Sequence, residues 1–426
     1  MCFSLDDSLL ATASGDQTAR VVDMTTQRTT SILAQHSASL KQVKFQPGAA
    51  NNNVIATSSR DGSVQIWDLR CKGAQGPVRD IHIPMDPTSL LATQSQVGSL
   101  TYGCIVNSIY DAHRPGLHGR LPPSAIARDG PSRGELPGRI GDVSVTAITF
   151  LPEGKEHILL TASEANASIK LWDVRFLHHT RRKTALPLSC TALPESHNQW
   201  RHFGINSLSL SGNGSRIYAL CRDNTVYAYS TAHLILGHAP ELSANISRRR
   251  HQQNEIREGL GPLYGFRHRQ LHATSFYVKA AIRPAKADKT EMLAVGSCDG
   301  CTILFPTDER YVEMGQKPSQ QELATHPTLR RYGSSIGTCL RTEDSIPMSE
   351  YGTPLIRGHE REVGALTWTS DGELVTVGDD FLVRCWREGP FARKLRTGGE
   401  EGGQRWGCGW ADVSESYDED DEEEND

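Results

Sequence analysis

Apolar and polar positions alternate with a period of two in short runs along this chain, and the runs come in pairs separated by tight polar turns. Residues Ile55 to Arg70 and Leu160 to Arg175 are two copies of one such unit, each reading strand, turn, strand and each ending in Trp-Asp-x-Arg. Aligned on the Trp, the pattern predicts six hairpins with closing positions Val22, Trp67, Trp172, Tyr229, Phe305 and Trp386. Six residues before each stands a turn residue, Asp16, Asp61, Asn166, Asp223, Asp299 and Asp380, so five of the six turns keep an Asp. Repeated hairpins of this kind predict a toroidal array of small sheets in place of one continuous sheet.

These features define an all-β fold, a WD-repeat β-propeller. A buried turn carboxylate needs hydrogen-bond partners, and in this repeat they are a His at the blade entrance and a Ser or Thr that links on to the Trp indole. The sixth repeat carries the full set, His359, Thr376, Asp380 and Trp386, and the second nearly matches it with His36, Thr57, Asp61 and Trp67. His272 is a third candidate entrance, and Asn166 predicts a weaker network in the third repeat. A hydrolase triad would need an exposed nucleophile and an oxyanion hole. Recurrence of the same set in successive repeats marks it as structural, so no catalytic residue is expected.

With repeats of about 40 to 45 residues, the 426 residues predict one propeller over 1–395. Long inserts rich in Gly, Pro, Ser, Arg and His are expected at about 71–141, 176–200, 232–271 and 306–357. They read as loops on a rigid scaffold. A Gly-rich and then acidic tail, 396–426, is expected to be disordered. Its last part, Glu415 to Asp426, holds nine acidic residues and no basic ones, leaving 41 acidic against 45 basic side chains elsewhere and shifting the formal balance from −5 to +4. Before Leu9 no entrance His or outer strand is legible, so the first blade reads as incomplete. The expectation is a natural ring of seven blades, of which about six are visible here.

No apolar run approaches the roughly 20 residues that span a bilayer, and the start lacks a basic region followed by a long apolar core. The ten cysteines therefore read as reduced thiols of an intracellular protein. Cys298-x-x-Cys301 occupies a hairpin turn with no second ligand pair, which argues against zinc. No phosphate-binding loop is present, and neither a metal nor a cofactor is expected. The basic clusters Arg181 to Lys183 and Arg248 to His251 fit solvated loops, an acidic partner or a nuclear import signal. They lack interleaved aromatic residues, so direct nucleic-acid binding is not strongly indicated.

Binding remains, and the paired Trp-Asp-x-Arg endings carry it. An Arg just past the strand end emerges on one rim of the blade, where its planar fork can dock on carboxylates and carbonyls of a partner. Alternatively each Arg merely pairs within its own blade. The combination resembles the motif by which WD-repeat receptors engage the damage-binding adaptor of cullin-4 ubiquitin ligases. Residues Ala13 to Arg20, Asp61 to Cys71 and Ser275-Phe-Tyr-Val-Lys279, in this order and with a long insert after the second, resemble the denticleless family of such receptors. The last segment reads as an inner strand with Phe276 and Val278 on one face and Tyr277 and Lys279 on the other. The resemblance implies a non-catalytic receptor in the nucleus. It implies that Arg70, Arg175, Asp68 and Asp173 contact the adaptor. It further implies substrates that carry a degron and sit on the chromatin-bound sliding clamp, namely replication-licensing and cell-cycle regulators, with no membrane partner. The rival reading is a WD-repeat scaffold of a chromatin or RNA-processing complex.

Overall fold

A hairpin of alternating residues has one apolar edge to bury on each side, and the chain satisfies this by stacking small antiparallel sheets face to face. The computed structural model describes residues 1–48, 52–72, 101–113, 143–152, 154–177, 185–199, 202–237, 260–286, 289–310, 346–355, 358–388 and 409–410. The basic clusters Arg181 to Lys183 and Arg248 to His251 and the acidic residues 415–426 lie outside them.

Two compact units are formed, the first by Met1–Cys190 with Ile246–Glu258 and the second by Thr191–Asn245 with Gly259–Asp426. In the first unit, blade 1 comprises β1 (Cys2–Phe3), β2 (Leu9–Ala13), β3 (Ala19–Asp23) and β4 (Arg28–Leu33). Blade 2 comprises β5 (Leu40–Phe45), β6 (Val54–Ser59), β7 (Val64–Lys72) and β8 (Thr101–Ile109). Blade 3 comprises β9 (Val145–Phe150), β10 (Ile158–Ser163), β11 (Lys170–Asp173) and β12 (Ser189–Cys190), with a 3-10 turn over Val174–Phe176 between the last two. The start of β8 also pairs in parallel with β4, Ser31 opposite Thr101 and Ile32 opposite Tyr102.

In the second unit a short helix, α1 (Glu195–Gln199), precedes blade 4, which comprises β13 (Ile205–Leu210), β14 (Arg216–Cys221), β15 (Thr225–Ser230) and, after α2 (Thr231–Leu236), β16 (Tyr264–Arg267). Blade 5 is built from β17 (Ala280–Arg283), β18 (Met292–Val295) and β19 (Thr302–Pro306). The following β20 (Met348–Ser349) adds to blade 4, and β21 (Thr353–Leu355) completes blade 5. Blade 6 comprises β22 (Val363–Trp368), β23 (Leu374–Gly378), β24 (Val383–Glu388) and β25 (Gly409–Trp410), the last parallel to β24. The fold is a WD-repeat β-propeller of all-β class, and among the described residues no helix is long and apolar enough to cross a membrane.

Packing is inter-blade. Ala11, Val21, Leu33, Val43, Ile55 and Trp67 join blades 1 and 2, and Val64, Ile66, Ile148, Leu159 and Trp172 join blades 2 and 3. In the second unit Leu220, Val226, Phe266, Leu293 and Phe305 join blades 4 and 5, while Met292, Leu304, Leu374 and Trp386 join blades 5 and 6. Each fully buried aromatic of this kind contributes about 1.5–3 kcal/mol. The Asp-Gly turn has a role in the same contacts. Gly62 sits at φ +77°, a region that excludes most side chains, and a Cβ there would lie 3.1 Å from the Val143 carbonyl ahead of blade 3. Its own carbonyl accepts from the Ala112 amide at 3.0 Å, so the turn of one blade holds the entrance of the next.

Three expectations change. The first blade has all four strands, β1 being reduced to two residues that pair with Leu10 and Ala11. The four stretches read as inserts each contain the outer strand of a blade, β8, β12, β16 and β21. Ser275 to Lys279 is a turn ahead of β17 and not an inner strand. Asn206 of blade 4 imposes it, donating from Nδ2 to the carbonyls of Ala273 (2.9 Å) and Ser275 (2.8 Å). Lys279 Nζ then lies 3.8 Å from the Phe276 ring centre and donates to the Asn206 carbonyl at 2.9 Å.

Candidate functional site

The recurring polar sets are internal ties. In blade 2 the Trp67 indole donates to Thr57 Oγ1 at 2.8 Å, and Thr57 Oγ1 lies 2.8 Å from His36 Nε2. His36 Nδ1 faces Ser63 Oγ at 3.0 Å and Asp61 Oδ2 at 3.4 Å, while Asp61 also accepts from the Ser37 and Ser63 amides, each at 2.9 Å. Since the indole can only donate, the Thr hydroxyl is free to donate to Nε2, leaving the Nδ1 proton for the acid side. Burial alone would raise the Asp61 pKa, but His36, Ser63 and Ser37 together hold it far below the usual carboxylate range. Blade 6 repeats the set. Trp386 Nε1 to Thr376 Oγ1 and Thr376 Oγ1 to His359 Nε2 are both 2.8 Å, and His359 Nδ1 is 3.0 Å from Asp380 Oδ1.

Blade 3 has an entrance His that the spacing concealed. His113 Nε2 lies 2.9 Å from Thr161 Oγ1, which accepts from the Trp172 indole at 2.9 Å. Residues 114–142 separate His113 from its own blade, so no fixed offset pointed to it. Asn166 does not complete the set: its Oδ1 accepts from Ser168 Oγ at 2.8 Å, and His113 Nδ1 is buried without a hydrogen-bond partner among the described residues. Burial, with Lys170 nearby, pushes the His113 pKa well below its ordinary value. His272 reaches Asp299 at 2.6 Å, but the chain stops there because Val295 and Phe305 occupy the hydroxyl and indole positions.

The two arginines lie at the opposite end of their blades from these turns. Arg70 is raised from its strand by a bulge, since Asp68 pairs with Cys104 and Lys72 with the adjacent Gly103, leaving Leu69, Arg70 and Cys71 unpaired with β8. Arg175 sits in the 3-10 turn after β11. Despite the different backbone context the local geometry is the same. Arg70 binds Asp68 through its amide (2.9 Å), Nε (2.9 Å) and Nη2 (2.8 Å). Arg175 binds Asp173 through its amide (3.0 Å), Nε (3.0 Å) and Nη2 (2.7 Å). The Arg70 hydrogen bonds hold Asp68 below the ordinary carboxylate pKa; Asp173, despite burial that opposes it, is held low by Arg175.

Each carboxylate thus takes one edge of its guanidinium and fixes the plane, while the arginine side chains stay 59% and 58% exposed. The remaining N–H donors of the fork face outward with their direction already set. Blades 2 and 3 are tied at this end by Asn107 of β8, which donates to the Val174 carbonyl at 2.8 Å, next to Arg175. Phe176, 73% exposed, lies beside the Arg175 guanidinium at 5.6 Å. Arginine and aromatic residues are both enriched at protein–protein interfaces.

Motif reading missed a third clamp of this type. In blade 5 Asp308 accepts from the Arg310 amide at 3.0 Å, from Nε at 2.9 Å and from Nη2 at 2.6 Å. No Trp precedes it, and the Asp follows the closing Phe305 by three residues instead of one, so the Trp-Asp-x-Arg pattern does not register it. Among the described residues no group of His, Cys, Asp and Glu could hold a metal ion.

A family model for the WD domain, G-beta repeat, matches residues 27–68 and 352–387. The chain is 28% identical over 390 residues to cell division cycle protein cdt2 of Schizosaccharomyces pombe, covering 90% of this chain and 56% of that protein. It is 29% identical over 382 residues to denticleless protein homolog B of Xenopus laevis, covering 89% and 39%, and 28% identical over 398 residues to the denticleless protein homolog of Homo sapiens, covering 92% and 40%. The chain therefore spans about half the length of these relatives, or less.

Proposed function

Because this chain belongs to the denticleless family of WD-repeat proteins, we propose that it is a non-catalytic substrate receptor of a cullin-4 ubiquitin ligase, acting in the nucleus. The observation that carries this reading is the pair of aspartate-oriented, exposed guanidinium forks of Arg70 and Arg175 on consecutive blades of one compact unit. Fixed forks reach carboxylates and carbonyls of a partner with little ordering cost, and a partner that spans both blades engages the two at once. In this proposal the partner is the damage-binding adaptor, and Asp68 and Asp173 act by positioning the arginines.

The receptor contributes proximity. Holding adaptor and substrate on one body raises the effective concentration of the ligase at substrate lysines. The proposed substrates are replication-licensing and cell-cycle regulators bound through a degron on the chromatin-bound sliding clamp. The rival reading, a scaffold of another assembly, draws on the same ion pairs, since each guanidinium already has a carboxylate in its own blade. Exposed ion pairs contribute little to stability, however, so stabilisation alone is a weak reason for placing such a clamp after the Trp-Asp of two consecutive blades.

Co-purification of the adaptor with the wild-type chain and with an Arg70→Ala/Arg175→Ala double variant tests the proposal. Capture by the wild type, and its loss in a variant with unchanged circular dichroism and melting temperature, is the expected result. Equal capture by both, or none by the wild type, transfers the assignment to the scaffold reading.

A further inference from the structure

We propose that the acidic segment 415–426 of this chain docks in a basic cavity between blades 5 and 6. The cavity has a volume of about 490 Å³ and is walled by the loop after β17, with Arg283, Lys286 and Lys289, and by the β22–β23 turn, Thr369 to Gly372. Arg283 is 4% exposed; its Nη2 donates to the Thr290 carbonyl at 3.0 Å and its guanidinium carbon lies 5.2 Å from the Trp368 ring centre. Lys286 Nζ donates to the Ser370 carbonyl at 3.3 Å and Lys289 Nζ to the Asp371 carbonyl at 2.6 Å. Backbone carbonyls thus aim both ammonium groups along the cavity wall, and each ammonium retains further protons for an anion. Three cations face the single carboxylate of Asp371 among the described lining residues. Glu373, next to the turn, is occupied by Arg387 at 2.7 Å.

Strand β25 indicates the occupant. It runs parallel to β24, with Gly409 opposite Arg387 and Trp410 opposite Glu388. Trp386 in turn pairs with Leu374, directly after the turn that walls the cavity. The chain therefore leaves Trp410 at the cavity end of blade 6, about two strand spacings, or roughly 10 Å, from the turn. Five residues later the acidic run begins, and five extended residues reach about 17 Å. Nine carboxylates in twelve residues are thereby tethered within reach of three cations, at high effective concentration. The inference is independent of the arginine clamps of blades 2 and 3.

A labelled peptide with the sequence of residues 411–426 provides the test, with binding measured by fluorescence anisotropy. Three full-length proteins are compared: the wild type, a form with the nine carboxylates of 415–426 replaced by amides, and that amide form carrying Lys286→Glu/Lys289→Glu. Both lysines are exposed, and circular dichroism checks each fold. The amide form is expected to bind the peptide about tenfold or more tightly than the wild type, whose site is filled by its own segment. The lysine substitutions, or a rise from about 0.05 M to about 0.5 M salt, are expected to remove that gain. Equal binding by wild type and amide form would mean that the cavity takes acidic peptides only from other molecules, and would overturn self-docking. No binding by the amide form, or binding indifferent to the lysine substitutions, would overturn the site itself.

Discussion

At the scale of single residues, one hydroxyl in each complete blade set carries two obligations. Thr57 and Thr376 accept from a buried indole and face a buried imidazole, at 2.8 Å in all four contacts. Thr376→Val keeps the shape and strands both ring groups away from water. The expected loss is about 2–4 kcal/mol in urea unfolding, whereas Thr376→Ser stays within about 1 kcal/mol; equal behaviour of the two would deny the hydroxyl its role. Asp61 adds a pH signature. Its folded pKa lies below the unfolded value of about 3.9, so its contribution is complete above about pH 4 and is lost as pH falls toward the lower folded pKa. Asp61→Asn should therefore lower stability at pH 7 and flatten the decline below pH 4, a comparison open to thermal melts across that range.

At the scale of the element, blade 3 is expected to lose stability between pH 7 and 5. His113 is buried with its pKa well below the ordinary value, so it remains neutral in the fold while the unfolded chain takes up a proton below about pH 6.5. Stability from this group is present above that value and declines as pH falls through it. Asn166→Asp rebuilds the acid that blades 2 and 6 place opposite their histidines and gives His113 Nδ1 a partner. We expect about 1 kcal/mol of added stability near neutral pH and a shallower loss between pH 7 and 5, read by thermal melts of wild type and variant. An unchanged slope would separate Asn166 from His113.

At the scale of the whole molecule, the two ends of the blades are put to different uses. In blades 2, 3 and 6 the turn end is closed inward by histidine, hydroxyl and indole. The other end in blades 2 and 3 is turned outward by an aspartate that spends itself on orienting an arginine. Orientation depends on planarity, so under the proposed adaptor docking Arg70→Lys/Arg175→Lys should not preserve capture although the charge is kept. Asp68→Asn/Asp173→Asn should weaken capture while leaving both arginines in place. Pull-down of the adaptor with matched protein levels reads both variants, and full capture by the lysine variant would show that charge alone suffices. The chain spans about half the length of its cdt2 and denticleless relatives or less.

What the amino-acid order determined by itself is whatever repeats at a fixed short spacing. The alternation, the Asp-Gly turns, the closing Trp67, Trp172 and Trp386 and the Asp-x-Arg endings all lie within one hairpin, where backbone register sets every offset. What required the tertiary structure lies between hairpins. The outer strands β12 and β21 have two and three residues, too few to show a period, and pairing with a central strand is what makes them strands. His113 reaches Thr161 across a gap in sequence that no local rule predicts. Ser275 to Lys279 alternates like a strand yet turns, because Asn206 of the neighbouring blade takes the carbonyls of Ala273 and Ser275 at its start. The Arg310 clamp is as local as the other two but has no Trp before it to mark it, whereas the Arg283, Lys286 and Lys289 cavity carries no motif because its walls come from separate strands and turns that only folding brings together.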